Sequence, residues 1–525
     1  MFASGFSITQ AVLIALYYWF CWWDFSHPVS GVAWAQDCVW IGVIMGLLFG
    51  DVQLGLVIGG TLALTFICAL PVGANLPVDY AAAALAAVPM AIRFHWSAGL
   101  AICVSVFFGI GGAKLDGLRR TLATRFNNSA RRHIRERKYN LLVFDAVISP
   151  VVLQFFIRAI PMFIAVYFGG AGLQWLVPRL PQQVLHALEA AGGILPGLGI
   201  ALCLNTIGRS SVFPFFALGF FAACLMQGSI LPYVGLAGCI ALIYCKMTQN
   251  TQIKPIDRAL VAGKLEDSVL TDHEHFMGYA RFAFVHRCSQ AMDTFYGTGM
   301  AYSFKNVLRK IYRDDDAYQA AMERHLEPFI PEVIWGSSIL GIVVREEEKN
   351  AANAEEELGA SISTLKTSLM GPVAGFGDSI NYMVFWNMLK MTFYPLAAAG
   401  SFLGMLTPVI LHPTLEVIGW KAYKAGYRGG TQAIVTFLKS GLKDRLMIGA
   451  SIFGYFLLGA ICFFNVHLPI AIPGVEKSIS AVIPQLFPFL TVCGVYCYMR
   501  KGGKFLPMML CTILICIVLS LVGII

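Results

Sequence analysis

Leu369-Met370-Gly371-Pro372-Val373-Ala374-Gly375-Phe376-Gly377-Asp378-Ser379 places three glycines, a proline and one carboxylate between long apolar flanks. A lipid-facing helix does not use such a sequence, so regular backbone is expected to break here. Broken backbone at membrane depth must line a polar cavity or be wrapped in protein. Earlier in the chain, Leu70-Pro71-Val72-Gly73-Ala74-Asn75-Leu76-Pro77-Val78-Asp79 has the same character. Paired Gly/Pro-interrupted hydrophobic segments, one in each half, point to the substrate site of a transporter. Gly73, Gly371, Gly375 and Gly377 are the candidate hairpin glycines.

The surrounding composition sets the solvent. Hydrophobic residues make up 57% of the 525 positions and charged residues 13%, with 38 Phe and 10 Trp and a mean hydropathy of +0.68. That is an all-α membrane protein, with aromatic side chains at lipid and headgroup levels. The formal charge of +8 is uneven. Much of it lies between Lys114 and Lys138, with Arg119, Arg120, Arg125, Arg131, Arg132, Arg135 and Arg137. Set between apolar spans, this run reads as a cytoplasm-facing loop against anionic lipid or an acidic soluble partner, and not as a nucleic-acid surface. The N-terminus has no basic n-region or small-residue cleavage site, so Ile8 to Trp23 reads as a retained membrane segment.

Apolar stretches of spanning length (about 20 residues as a helix) recur along the chain. The 38–70 stretch is too long for one span and is expected to divide at Gly50-Asp51. Ala81 to Arg93 is small-residue rich and reads as a re-entrant or internally packed helix. From about Lys246 to Asn353 the character changes: a polar connector, an amphipathic Ala283–Leu308 stretch, a helix start at Asp314-Asp315-Asp316, and a charged, solvent-facing Arg345–Leu358 helix. Strong membrane character returns from 393 to the end. The expected organisation is a membrane unit over 1–250, a junction over 251–280 and a second unit over 281–525.

Candidate binding residues follow from chemistry. Asp79 and Asp378 are carboxylates beside Gly/Pro interruptions. Either is a hydrogen-bond acceptor for a polyol, or it caps a helix end. Asn75 and Asn205 offer donor and acceptor together, as sugar recognition requires, and serve equally to tie helices together. Asp51, at a Gly-rich junction, reads as structural. None of the 14 Cys forms a CxxC pair, so metal ligation is not expected. No Walker, HExxH or dinucleotide fingerprint is present, so ATP-driven transport, zinc proteolysis and nicotinamide chemistry lack support, and no cofactor is expected.

These pieces, in order, resemble a known family. Phe49-Gly50-Asp51, Ile58-Gly59-Gly60-Thr61-Leu62, Gly73-Ala74, Asp79, Ala191-Gly192-Gly193, Asn205 and Pro214 to Phe220 look like enzyme IIC of the mannose-class sugar phosphotransferase system. Gly297-Thr298-Gly299-Met300, Arg324-His325-Leu326-Glu327, Ile339-Leu340-Gly341, Leu369 to Asp378, Lys424 to Tyr427 and Gly449 to Ile452 look like its enzyme IID. The resemblance implies two components, usually separate chains, fused here. It also implies a bacterial cytoplasmic-membrane permease with re-entrant hairpins and an elevator-type core moving against a scaffold, assembled as a homotrimer. The implied partners are a sugar, membrane lipid and a soluble phosphorylated enzyme IIB charged through IIA. The phosphohistidine is then on IIB, so no catalytic residue is expected here and His325 is not a phosphoryl carrier.

Departures from the family pattern lie at Ala63, at Pro77-Val78-Asp79, at Ala291 to Tyr296, at Phe329-Ile330-Pro331 and at Gly377-Asp378-Ser379. Asp293 and Tyr296 then stand as polar and aromatic walls of the site. Mannose specificity does not follow, and a phosphorylation-independent sugar carrier on the same scaffold is the alternative.

Overall fold

The computed structural model describes residues 5–22, 32–69, 76–248, 265, 268–353, 356–439, 441–470 and 483–525. Among these, the chain is helical throughout, and β-pairing is confined to isolated bridges at Ala291, Phe295 and Phe329.

The N-terminal part runs through α1 (Ile8–Cys21), α2 (Cys38–Phe49), α3 (Val52–Thr65), α4 (Tyr80–Phe94) and α5 (Ala98–Arg135). It continues with α6 (Tyr139–Arg179), α7 (Gln182–Ile207), α8 (Phe213–Met226) and α9 (Leu231–Thr248). The C-terminal part has α10 (Asp272–Val285), α11 (Gly297–Ile311), α12 (Asp315–His325), α13 (Val333–Asn353) and α14 (Glu356–Asp378). After these come α15 (Asn387–Ala398), α16 (Leu406–Leu438), α17 (Leu442–Asn465), α18 (Leu486–Arg500) and α19 (Phe505–Leu521). Among the described residues, five stretches are long and apolar enough to cross a bilayer: Ala98–Arg135, Tyr139–Arg179, Gln182–Ile207, Phe402–Thr436 and Lys443–Asn465. The molecule is a multi-pass membrane protein.

Local chemistry sets the boundaries. Asp37 caps α2 through the Val39 amide, and Asp51 caps α3 through the Leu54 amide at 2.8 Å. Between them Gly50 takes φ +93°, a left-handed conformation that glycine adopts without penalty. The 38–70 stretch therefore divides where the sequence indicates, and Asp51 is structural. The α4 helix is buried from Ala81 to Ile92, as an internally packed helix requires. Asp314 accepts from the Ala317 amide at 2.8 Å and starts α12.

Three expectations are corrected. The Leu369–Ser379 stretch does not break: α14 runs through Pro372 to Asp378, and a π-helical segment, Ser379–Trp386, leads straight into α15. Pro372 is accommodated inside the helix, and the departure from α-helical register comes about two turns after it, as a π-helical slip and not as open backbone. Lys114–Lys138 is not a loop but largely the continuation of α5, with Asp116, Arg119, Arg120 and Asn127 buried on its inner face. Arg345–Asn353 is not wholly solvent-facing. Glu347 is buried, accepting from Arg324 Nε at 2.7 Å and Tyr312 Oη at 2.6 Å, with His325 Nε2 at 2.8 Å.

The two parts share one apolar core. Helix α8 crosses α17 so closely that a Cβ at Gly219 would run into the Phe456 carbonyl, and one at Gly459 into that of Phe216. Small residues at such crossings let backbones approach where lipid gives helices no hydrophobic reason to associate. Hydrogen bonds stitch the same interface: Tyr455 Oη to the Leu204 carbonyl at 2.9 Å, Trp40 Nε1 to the Met405 carbonyl at 3.0 Å and the His467 amide to the Gly193 carbonyl at 3.0 Å. A second core joins α10–α14 and α16 to Ala130 and Ile134 of α5.

Helix α6 is irregular. It contains π-helical segments at Phe144–Ile148, Phe155–Ala159 and Ala165–Gly169.

Candidate functional site

A cavity of about 100 Å³ opens between the two parts. The N-terminal part contributes Gln36, Asp37 and Tyr80, and the C-terminal part contributes Arg287, Thr407 and His412. Tyr382, Trp386, Lys390 and Tyr394 also line it. Their spacing of four residues along the π segment and α15 sets them on one face, one turn above another.

The wall is chemically mixed. Tyr394 Oη donates to Asp37 Oδ2 at 2.6 Å, across the two parts. Lys390 Nζ donates to the Ile67 carbonyl at 3.2 Å and lies 4.7 Å from the Trp386 ring centroid. The His412 ring packs edge-on against Trp386 at 5.9 Å. Thr407 Oγ1 is buried without a hydrogen-bond partner. An unsatisfied buried hydroxyl is costly and marks a place where a ligand would supply the missing bond. Aromatic faces beside a carboxylate, an ammonium, a guanidinium and a hydroxyl are the surface a polyhydroxylated ring needs: apolar C–H faces to stack and hydroxyls to bind.

The sequence candidates are distributed around this cavity, not gathered in it. Gly73 and Asn75 lie outside the described residues. Asp79 is fully buried: it caps α4 through the Ala82 amide at 3.0 Å and accepts from Tyr18 Oη at 2.7 Å and Arg158 Nη1 at 3.1 Å. Its neighbour Tyr80, not Asp79, lines the cavity. Asp378 sits exposed one turn before Tyr382 on the same helical stripe, so the two carboxylates do not share a chamber. Asn205 is half-buried in the last turn of α7 and Asp293 is exposed, accepting from Asn127 Nδ2 at 2.5 Å. Tyr296 is buried against His286, ring centroids 5.0 Å apart, and with Glu332, Arg287 and Asp378 contributes to the field around Tyr382. Gly371 and Gly375 face open space, whereas Gly377 abuts Glu332. Asp37, Trp386, Lys390 and His412 line the cavity and are not among the sequence candidates. A lysine in the apolar Met388-Leu389-Lys390-Met391 run was the available signal.

Outside the spans, burial pushes the Glu332 carboxyl up to about 7, against hydrogen bonds from the Trp335 and Ile334 amides and Asn381 that favour its charged form. Burial also raises Glu347, but Arg324 and His325 outweigh it and hold that carboxyl at about 2. Among the described residues no cluster of His, Cys, Asp and Glu is placed to hold a metal ion.

The family described as "PTS system sorbose-specific iic component" matches residues 8–243, and the "PTS system mannose/fructose/sorbose family IID component" matches residues 269–525. The mannose-specific EIID component of Escherichia coli K12 is 31% identical over 208 residues, covering 37% of this chain and 71% of its own length. The chain belongs to the mannose/fructose/sorbose family of phosphotransferase-system components. It is a sugar-transporting membrane permease with IIC and IID components in one chain. The sorbose-specific EIIC component of Klebsiella pneumoniae is 29% identical to this permease over 205 residues, covering 39% of this chain and 77% of the relative. A chain from the solved complex of mannose transporter ManYZ with microcin E492 is 26% identical, covering 50% of the permease and 99% of that chain at a TM-score of 0.29.

Proposed function

We propose that the permease binds its sugar in the cavity between the IIC-like and IID-like parts and presents it for phosphorylation by a separate phosphorylated enzyme IIB, charged through IIA. The observation that carries this reading is the joint lining: Asp37 and Tyr80 from one part meet Trp386, Lys390, Tyr394 and His412 from the other. A ring stacked on Trp386 would take its hydrogen bonds from Asp37, Lys390 and Thr407. Asp293, Tyr296 and Asp378 then belong to the approach around Tyr382, with Asp79 as the cap that fixes Tyr80 and Asn205 outside the immediate wall.

In the transfer, the P–N bond of the IIB phosphohistidine breaks, a P–O bond to a sugar hydroxyl forms, and the hydroxyl proton passes to the vacated imidazole nitrogen. Positioning and charge stabilisation carry such a reaction. We place the permease in a bacterial cytoplasmic membrane as a homotrimer, with domains 1–250 and 281–525 joined by 251–280, one domain core moving elevator-fashion against a scaffold.

The test is phosphoenolpyruvate-dependent accumulation of labelled phosphosugar in vesicles supplied with the soluble components. Phosphosugar appearing inside supports the reading. Labelled sugar entering unmodified overturns the coupling and favours the phosphorylation-independent carrier.

A further inference from the structure

A second cavity, about 500 Å³ in volume, opens between the same two parts. One helix pair carries both cavities. On α3 the second takes Val57 and Thr61, and the first takes Ala63 and then Phe66 at the helix end. On α15 the first ends at Tyr394 and the second begins at Pro395, continuing to Ala399. Residue numbers rise toward the first cavity on α3 and toward the second on α15. The helices are therefore antiparallel and the cavities lie end to end, five to six residues or about 8 Å apart along the axes. Between them the two backbones touch: a Cβ at Gly60 would run into the Ala398 amide.

Two further helices give the second cavity a side. Helix α5 reaches it with its first turns, from the cap Ser97 to Ile102, and carries its basic half at the opposite end. Helix α17 reaches it with Phe464 and Asn465, its last residues, and starts with Lys443 and Arg445 in its first turn. Basic ends mark the cytoplasmic face. The second cavity is thus at the outer face, and the shared cavity lies deeper. The Asp79 amide, next to the lining residue Tyr80, bonds the Gly109 carbonyl at 2.8 Å, which is about 15 Å further along α5 than Gly99 of the outer wall.

The outer wall is fitted with acceptors. Asn465 Oδ1 is buried with no hydrogen-bond partner. Glu189 accepts from Ser97 Oγ through Oε1 at 2.7 Å, and its Oε2 accepts no bond among the described residues. Phe464 adds an aromatic side chain. Acceptors beside an aromatic group suit a ring that brings hydroxyl donors and apolar C–H faces. A buried acceptor left unpaired is costly, and a hydroxyl supplied by a ligand removes that cost.

We propose that the outer cavity is a second sugar-binding site, a loading site that takes sugar arriving from outside through Asn465 and Glu189 and passes it to the shared cavity when the α3–α15 contact parts. Its role rests on the shared cavity being the sugar site.

The experiment places one thiol in the outer wall of the full chain. Ala399→Cys is at an exposed position, and no cysteine is among the described residues that line this cavity. Right-side-out vesicles are treated with a bulky, membrane-impermeant methanethiosulfonate. Uptake of a panel of labelled monosaccharides is followed before and after, counting free and phosphorylated sugar together. Uptake by Ala399→Cys is expected to fall about tenfold or more on labelling, while the reagent leaves the unaltered chain unaffected. An excess of the transported sugar is expected to slow the labelling several-fold. Asn465→Leu gives a second readout: the KM for uptake rises about fivefold, the worth of one hydrogen bond, with the maximal rate kept, and Asn465→Gln falls between. Uptake undiminished by complete labelling, labelling that the transported sugar does not slow, or an unchanged KM in Asn465→Leu overturns the loading site while the shared cavity stands. So does labelling that occurs only in inverted vesicles. If the unaltered chain takes up no monosaccharide, the shared-cavity reading fails and the loading site falls with it.

Discussion

The hydrogen bond between Tyr394 Oη and Asp37 Oδ2, 2.6 Å long, is one bond of the cavity wall that crosses between the two parts. Its contribution can be isolated with Asp37→Ala, Tyr394→Phe and the double variant. Tyr394→Phe removes one hydrogen bond to a charged group, about 1.5–3 kcal/mol. Asp37→Ala removes that bond and also the α2 cap on the Val39 amide at 2.9 Å, which adds about 1 kcal/mol. The double variant loses nothing beyond Asp37→Ala, about 2.5–4 kcal/mol in all, so the coupling energy equals the bond itself, about 1.5–3 kcal/mol. The assay is reversible denaturant unfolding of the reconstituted chain, followed by tryptophan fluorescence, for all four forms. Additivity within about 0.5 kcal/mol would show that the bond does not hold the interface and would refute the reasoning.

Further outcomes follow from other parts of the structure. Trp386→Ala should weaken sugar binding about tenfold, from about 1.4 kcal/mol, with little loss of folded protein, as read by equilibrium binding of labelled sugar. Gly219→Val should cost at least about 1–3 kcal/mol, because its side chain has no room beside the Phe456 carbonyl; the measurement is thermal unfolding in nanodiscs. Glu332 titrates at about 7 when folded against 4.5 ordinarily, so its contribution to stability is complete below about pH 4.5 and lost as pH rises through about 7; Glu332→Gln should flatten that part of the stability profile. Glu347, held at about 2, has the opposite sign: its contribution is complete above about pH 4.5 and lost as pH falls toward 2. Glu347→Gln should remove that acid-side slope, at a cost of about 3 kcal/mol at neutral pH.

Much of this was legible before any coordinates. The α2–α3 division was written in Gly50-Asp51, and the burial of α4 in its run of alanines, because both depend on nearest neighbours along the chain. The Leu369–Ser379 stretch misled because glycine and proline report that a helix will be disturbed, but not how. The helix carries Pro372 and the glycines through to Asp378, and only the segment after them, Ser379–Trp386, slips into π-helical register. Asp79 stood out beside its Gly/Pro interruption, yet its partners Tyr18 and Arg158 lie 61 and 79 positions away, and no local pattern names them. The stripe of Tyr382, Trp386, Lys390 and Tyr394 has a four-residue spacing, but in an apolar span that spacing alone does not distinguish a binding wall from a packing face. That the stripe meets Asp37 could come only from the packing of α15 on α3, which brings Tyr394 to the Asp37 carboxylate.

The three π-helical segments of α6 have a consequence for how this helix tolerates change. Each inserts one residue beyond α-helical register, and one residue swings everything downstream by about 100° around the axis. Three of them turn the far end by about 300°, within about 60° of a full revolution. Excising a single bulge would therefore rotate the Gly170 end, packed on Phe6, away from its neighbour, whereas shortening all three together would nearly return it to the same azimuth. Length variation in this helix should be accepted in threes and rejected singly.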